Sequence, residues 1–508
     1  MKKRTICFLL AFGTLSVAAG IDDQSLIPVE RLEAPKHAPI LLVTGGKPSF
    51  AIVGRFAAES AVRGPEGQPL KQFGRDAVRQ AADLLSEAFL KCCGVRVAIL
   101  DEADPQVSRY GAVIALGRTT WSEKLGIEPK TLPREGFVVK TFDGGIAIVG
   151  NDWVDGDYDV FNWRTRRLTC NGTLWGAQDF AEKVLGVRYF SPCDKGLWTD
   201  FPKLNRVVVS DFTSTDHPQY WFRAGYPNDG WRTATSGDCF GGEAPHPFDL
   251  AKAHPDYEIS FSPYLNTCDL PEGLTFPAKN AECSLCTMPG LALLKDEGVR
   301  AHEEKLMRDW AAATGRPVRS WDYICWPAEF CSAPYVFGKV AQDHYRRLRP
   351  YTVGSFINGT GTPPEKRLFL SAYVWVRSMW NPEFDLNALY DTFAARMFAA
   401  GAKPMREIIR MQEDGWMRPW GAGQISNKNI YEISYPRKDV LRMQELFAEA
   451  KALAKGDALA LRRIAKYEAC FTDFFRESED LANGTALEPT LIQKVASDPA
   501  VDGRIAEP

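Results

Sequence analysis

Between residues 220 and 359, five short β-prone runs recur, with helix-patterned stretches between several of them. The runs are YWFRAG (Tyr220–Gly225), YEISFSPYL (Tyr257–Leu265), NAECSLC (Asn280–Cys286), VRSWDYI (Val318–Ile324) and TVGSFING (Thr352–Gly359). The helical stretches cover Leu291–Ala313, Pro334–Leu348 and Pro364–Met379. This alternation argues for a parallel sheet or a barrel.

The preceding part, from Pro39 to about Val209, is patterned differently. ILLVTGGKPSFAIV (Ile40–Val53) reads as a strand broken by a Gly-Gly-Lys-Pro turn. DAVRQAADLLSEAFLKCCG (Asp76–Gly94) is amphipathic, with Ala77, Ala81, Leu84, Leu85, Ala88 and Cys92 on one face and Gly94 as its stop. GFVVKTFDGGIAIVG (Gly136–Gly150) reads as a hairpin about Asp143-Gly144-Gly145. GTLWGAQDFAEKVLGVRYF (Gly172–Phe190) places Leu174, Ala177, Phe180, Ala181, Val184 and Leu185 at helical spacing. Gly186 then stops that helix, and Val187, Tyr189 and Phe190 alternate as a strand. The whole reads as a sheet with two helices on one face, an α+β layer arrangement.

The length of 508 residues exceeds one ordinary core, since domains run to about 100–200 residues. A net charge of −3 offers no electrostatic case for nucleic acid or an anionic membrane surface. Lys2, Lys3 and Arg4, the apolar run Ile6–Leu15 and Ala18-Ala19-Gly20 read as a cleavable secretory leader. The expected mature protein is soluble and exported, secreted or periplasmic. With Cys7 in the leader, an odd number remains of the 12 cysteines, so at least one stays free or pairs between chains. Cys283-x-x-Cys286 lacks the second pair that structural zinc requires, so buried thiols or one local disulfide are expected, and no metal site. The 14 Trp, 16 Tyr and 29 Phe fill cores, and they are also compatible with stacking on sugar rings.

The order strand, long helix, ALGRTTW, GFVVKTFDGGIAIVGND hairpin and GTLWGAQDFAEKVLGVRYFSP resembles the N-terminal domain of α-glucuronidases. It also resembles domain 2 of β-hexosaminidases, which stands in front of a catalytic barrel. The segment AYVWVRSMWNPEFDLNALYDTFAARMFAAGAKPM (Ala372–Met405) is similar to secreted bacterial α-glucuronidase-like proteins of the domain-of-unknown-function 4838 type. The resemblance implies an α/β chain with four parts. These are a leader (1–20), a hexosaminidase-domain-2-like α+β sandwich (21–215), a (β/α)8-like TIM barrel (216–430) and a C-terminal helical segment (431–508). The last part carries helical stripes, Leu441 to Leu453 and Leu459 to Phe471, of a two-helix hairpin. A full barrel takes about 250 residues and eight strands, so five strands in about 200 residues describe a shortened one. The shortfall lies between Gly225 and Tyr257, a Gly-, Pro- and Asp-rich stretch that reads as loop.

Glycoside hydrolysis needs two carboxyl groups, about 5–5.5 Å apart for retention and 6.5–9.5 Å for inversion. In a barrel they stand at the carboxyl ends of strands. Asp322 and Glu329 flank WDYICWPAE at such an end, among Trp321, Tyr323 and Trp326, which offer stacking surfaces and apolar walls. Asp229, just past the first barrel strand, is a third candidate acid. Each has a plainer reading, Asp322 as a loop cap and Glu329 as a solvated side chain. By the same resemblance Arg223 matches an Arg of the family's first barrel strand and could hold a sugar hydroxyl or uronate, or serve an internal salt bridge. Trp231, His246, Tyr264 and Asn358 complete the substrate-binding candidates. Neither a phosphate-binding glycine loop nor a GxSxG elbow occurs, and HEEKL at His302 has Leu306 where a second zinc-binding His would stand. The reading is therefore a secreted glycoside hydrolase of α-glucuronidase-like type acting on polysaccharide fragments, with no cofactor. The alternative is a non-catalytic carbohydrate-binding protein on a degenerate barrel.

Overall fold

The computed structural model describes residues 35–56, 77–152, 171–191, 197–220, 222–225, 259–264, 268–270, 274, 281–286, 290–323, 331–358, 368–420 and 426–484. The expected leader and the candidate residues Asp229, Trp231, His246, Trp326 and Glu329 lie outside these.

The first layer begins with β1 (Ile40–Thr44), β2 (Lys47–Pro48) and β3 (Phe50–Gly54), followed by helix α1 (Ala77–Cys93). Then come β4 (Ala98–Asp101), β5 (Ala112–Leu116), the short helix α2 (Thr120–Lys124), β6 (Phe137–Phe142), β7 (Gly145–Gly150) and α3 (Gly172–Val184). Helix α1 buries Ala81, Leu85, Ala88, Phe89 and Cys92, and Gly94 closes it with φ 70°. Strands β6 and β7 form the expected hairpin, with Phe142 opposite Gly145 and the intervening Gly144 at φ 85°. Strand β3 pairs in parallel with β4 and β5, and β5 with β7, while β6 is antiparallel to β7. Both α1 and α3 pack on one face, burying Phe50, Ile114, Ile148, Phe180 and Val184 in one core.

The glycine that opens α3 has a packing reason. A Cβ on Gly150, at the end of β7, would lie 1.9 Å from Thr173 N and 2.0 Å from Gly172 C. A Cβ on Gly172 would lie 2.5 Å from Gly136 O. The first turn of α3 therefore rests directly on the backbone where the hairpin strands end, and neither position has room for a side chain.

The strand after α3 does not join the main sheet. It is β8 (Arg188–Tyr189), which among the described residues pairs with β9 (Thr199–Asp200) alone. Its flanks point to two cores: Val187 packs under α1 and α3, whereas Phe190 enters the helical core of the second half. The ribbon thus serves as a joint. Strand β10 (Arg206–Val209) then pairs with β1, and β11 (Thr213–Asp216) completes the main sheet beside β6.

All five runs expected as strands in the second half are strands. They are β12 (Phe222–Gly225), β13 (Ile259–Phe261), β14 (Ala281–Cys286), β15 (Val318–Tyr323) and β16 (Thr352–Asn358). They form one sheet in the order β13-β14-β15-β16-β12, parallel throughout. The first strand in sequence thus pairs with the last.

Helices α4 (Glu297–Thr314) and α5 (Gly338–Leu348) cover one face of this sheet. There Cys283, Leu285 and Val318 pack against Leu306, Met307, Trp310 and Leu348. The helix expected over Leu291–Ala313 is broken at Asp296, whose backbone is extended; Leu291–Lys295 is a separate 3₁₀ turn. Lys295 explains the break, because its Nζ reaches away to donate to Trp416 O at 2.5 Å and Arg418 O at 3.0 Å.

Helices α6 (Phe369–Trp380), α7 (Leu386–Phe398) and α8 (Ala402–Trp416) follow. Asp385 caps α7 by accepting from Ala388 N at 3.0 Å. Instead of the two-helix hairpin expected from Tyr435 to Asn483, the described residues there form three helices: α9 (Arg437–Leu453), α10 (Ala458–Ala469) and α11 (Thr472–Ala482). The extra break falls at Cys470-Phe471, where Phe471 is fully buried and the chain turns to keep Phe474 in the same core. Among the described residues no helix is long and apolar enough to cross a membrane.

Candidate functional site at the carboxyl edge of the parallel sheet

Side chains alternate across a strand, so β15 divides its residues between two environments. Val318, Ser320 and Asp322 face α4 and α5; Arg319, Trp321 and Tyr323 face the other way. The same alternation in β14 sends Cys283 and Leu285 to the helices and Glu282, Ser284 and Cys286 to the opposite face.

On that opposite face Arg319 Nη2 meets Glu282 Oε2 at 2.5 Å, both nearly buried. Trp321 packs on Phe356 of β16 with ring centroids 4.2 Å apart. At the carboxyl ends, Cys286 Sγ donates to Tyr323 Oη at 3.5 Å. Tyr264 is bridged in parallel to Cys286, interacts with the Tyr323 hydroxyl and is 42% exposed. Burial first, then the bonds to Cys286 and Tyr264, push the Tyr323 hydroxyl well above the usual phenol range. Burial likewise pushes the Cys286 thiol up to about 12. Tyr323 and Cys286 are thus uncharged at working pH, and beside them the exposed ring of Tyr264 is suited to stacking and hydroxyl contacts.

Asp322 stands one residue before the end of β15, 2% exposed, behind that surface. Its Oδ2 accepts from Tyr345 Oη at 2.9 Å and from Ser320 Oγ at 3.2 Å. Tyr345 Oη in turn accepts from Trp375 Nε1 at 2.5 Å, and Tyr220 donates its hydroxyl to Tyr345 O. Glu303 of α4 and His344 of α5 stand beside Asp322, all three buried. The sequence pattern points to an acid at an open strand end; the structure has that acid turned into the sheet–helix layer. Arg223 of β12 stands opposite Ser355 of β16, and Asn358 ends β16 opposite Tyr323.

The structure therefore gathers Tyr264, Trp321 and Tyr323 on one face and sets Asp322 on the other. Sequence reasoning passes over Glu282, Glu303, His344 and Tyr345, and reads Cys286 only as half of a Cys-x-x-Cys pair. Glu282 and Cys286 are legible in the period-two pattern of AECSLC. Glu303, His344 and Tyr345 lie on helices far apart in sequence, and only packing brings them to Asp322. Cys283 and Cys286 are free thiols, on opposite faces of β14.

No protein-family model matches the sequence, and no curated protein matches it. Solved structures do align with it over most of its length. CpGH84B is 11% identical, with 90% of this chain and 93% of that chain covered and a TM-score of 0.31. A GH138 enzyme targeting pectin rhamnogalacturonan II is 10% identical, with 84% and 68% covered and a TM-score of 0.37. The β-N-acetylhexosaminidase from Bacteroides fragilis is 10% identical, with 71% and 92% covered and a TM-score of 0.27. These neighbours are glycoside hydrolases. Likeness at these scores is loose and carries no chemistry across to this chain.

Proposed function

We propose that this chain is an exported glycoside hydrolase of α-glucuronidase-like type. In this reading a shortened (β/α)8-like barrel receives a sugar at the carboxyl edge of β12–β16. The observation that supports it is the parallel pairing of β12 and β15 on either side of β16. That pairing puts Gly225 and Tyr323 on one edge, two strand spacings or about 10 Å apart. Asp229 follows Gly225 by four positions and Glu329 follows Tyr323 by six. Tethers of that length let the two carboxyl groups meet within the range of roughly 5–9.5 Å that glycosidases use. Trp231, His246 and Trp326 belong to the same two segments, and Tyr264 and Tyr323 supply an aromatic wall. Asp322 then acts as a positioning group, holding β15 against Tyr345 without touching sugar.

The test is hydrolysis of aryl glycosides and glucuronoxylan fragments by the purified chain. Glu329→Gln and Asp229→Asn should each lower kcat by about 100-fold or more, with KM little changed. Failure to turn over any of these substrates, or full activity in both variants, ends the hydrolase reading. The second reading is a carbohydrate-binding protein without turnover. It is favoured by the two acids described around the edge: Asp322 lies behind the sheet and Glu282 is tied to Arg319. Saccharide binding with no turnover is its signature.

A further inference from the structure

Glu303, Asp322 and His344 each offer one ligand atom, and these three atoms lie within 4.8 Å of one another. The side chains come from three different elements, α4, β15 and α5, and are 4%, 2% and 1% exposed. A second observation is independent of the clustering of acids. His344 Nε2 is buried with no hydrogen-bond partner among the described residues. A buried imidazole normally satisfies both ring nitrogens, so an unfilled nitrogen on a histidine grouped with two carboxylates points to a missing partner. Among the described residues, both hydrogen bonds that Asp322 accepts end on Oδ2, from Tyr345 and Ser320. Such bonds orient a ligating carboxylate and leave its other oxygen for a cation.

We propose that Glu303, Asp322 and His344 hold a divalent transition-metal cation of the zinc or manganese class, clamping β15 to α4 and α5. Two carboxylates and a neutral imidazole are a hard-to-borderline donor set, suited to Zn²⁺ or Mn²⁺ and not to thiolate-selected ions. Bonds of about 2.0–2.2 Å around a tetrahedral ion put ligand atoms about 3.4 Å apart. Modest side-chain rotation brings the three atoms from within 4.8 Å to that spacing. The cation's two positive charges balance two carboxylates that are otherwise costly to bury together. The site is structural: it lies behind the candidate sugar edge, and the proposal does not depend on the hydrolase reading.

The experiment uses the full chain. It is stripped with a chelator, dialysed, and titrated with Co²⁺, Zn²⁺ or Mn²⁺. Expected are visible d–d absorption from bound Co²⁺ saturating at one ion per chain, and a rise in unfolding temperature on adding Zn²⁺ or Mn²⁺. Asp322→Asn and His344→Gln, checked for fold by circular dichroism, should lose the Co²⁺ band, whereas the exposed control His302→Gln should keep it. No Co²⁺ band and no thermal shift in the folded wild-type chain overturns the proposal. So does an unchanged band in folded Asp322→Asn and His344→Gln. If those variants do not fold, the wild-type titration still decides.

Discussion

Tyr345 donates its phenolic hydrogen to Asp322 Oδ2 at 2.9 Å, inside the layer between the parallel sheet and its helices. The same oxygen of Tyr345 accepts from Trp375 Nε1, so one hydroxyl joins β15, α5 and α6. Burial, reinforced by the neighbouring Asp322, holds this phenol well above its usual range, so it remains a donor at any working pH.

Tyr345→Phe keeps the ring and removes that hydroxyl. A hydrogen bond to a buried carboxylate is worth about 1.5–3 kcal/mol, and Trp375 loses its acceptor as well. Urea denaturation should therefore show a loss of about 2–4 kcal/mol. A loss within the error of the measurement would mean that Asp322 is solvated, contrary to its burial.

Gly150 and Gly298 should respond in opposite directions to alanine. At Gly150 the new Cβ falls on the backbone of Gly172 and Thr173, an overpacking that costs about 3 kcal/mol or more. At Gly298, in the first turn of α4, nothing lies within 4 Å, and the substitution should stabilise by about 0.5–1 kcal/mol. Thermal unfolding of the two variants checks both signs together.

The buried thiols should be inert. Burial pushes the thiols of Cys92 and Cys286 up to about 12 and that of Cys268 up to about 11, and partial burial pushes half-buried Cys93 up to about 11. Since the thiolate is the reacting species, a thiol-specific chromogenic reagent at about pH 8 should leave these four unlabelled in the native chain. They should label after denaturation. Rapid labelling of any of them in the native chain, located by peptide mapping, counts against its burial.

Lys295 gives a pH dependence with a definite sign. Burial pushes its ammonium down to about 7, although two carbonyls and the faces of Trp416 and Trp420 surround it. In the unfolded chain a lysine holds its proton to about pH 10.4. Between those values the unfolded chain binds more protons, so stability rises as pH is raised from about 7 toward about 10. The midpoint of urea unfolding should climb over that window, and Lys295→Met should flatten the climb. A climb of the same size in the variant would assign it to other groups.

The sequence by itself determined most of the elements and the pairing of one hairpin. Period-two runs became β12 to β16, and the Asp143-Gly144 turn closed its hairpin. The helical stripe of Asp76–Gly94 became α1, stopped at Gly94. These features are local: a strand's alternation, a helix's apolar face and a glycine's positive φ are set by neighbours a few residues away. Three things were not local. The strand after α3 became a ribbon between two cores because Val187 and Phe190 found partners on opposite sides of it. The Leu291–Ala313 helix broke because Lys295 reached carbonyls more than a hundred positions downstream. Asp322 looked like an acid at an open strand end, and the register of β15 turned it toward Tyr345, His344 and Glu303. A period of two says that successive side chains face opposite ways; which set meets α4 and α5 and which meets the other buried face of the sheet is settled only when those helices pack.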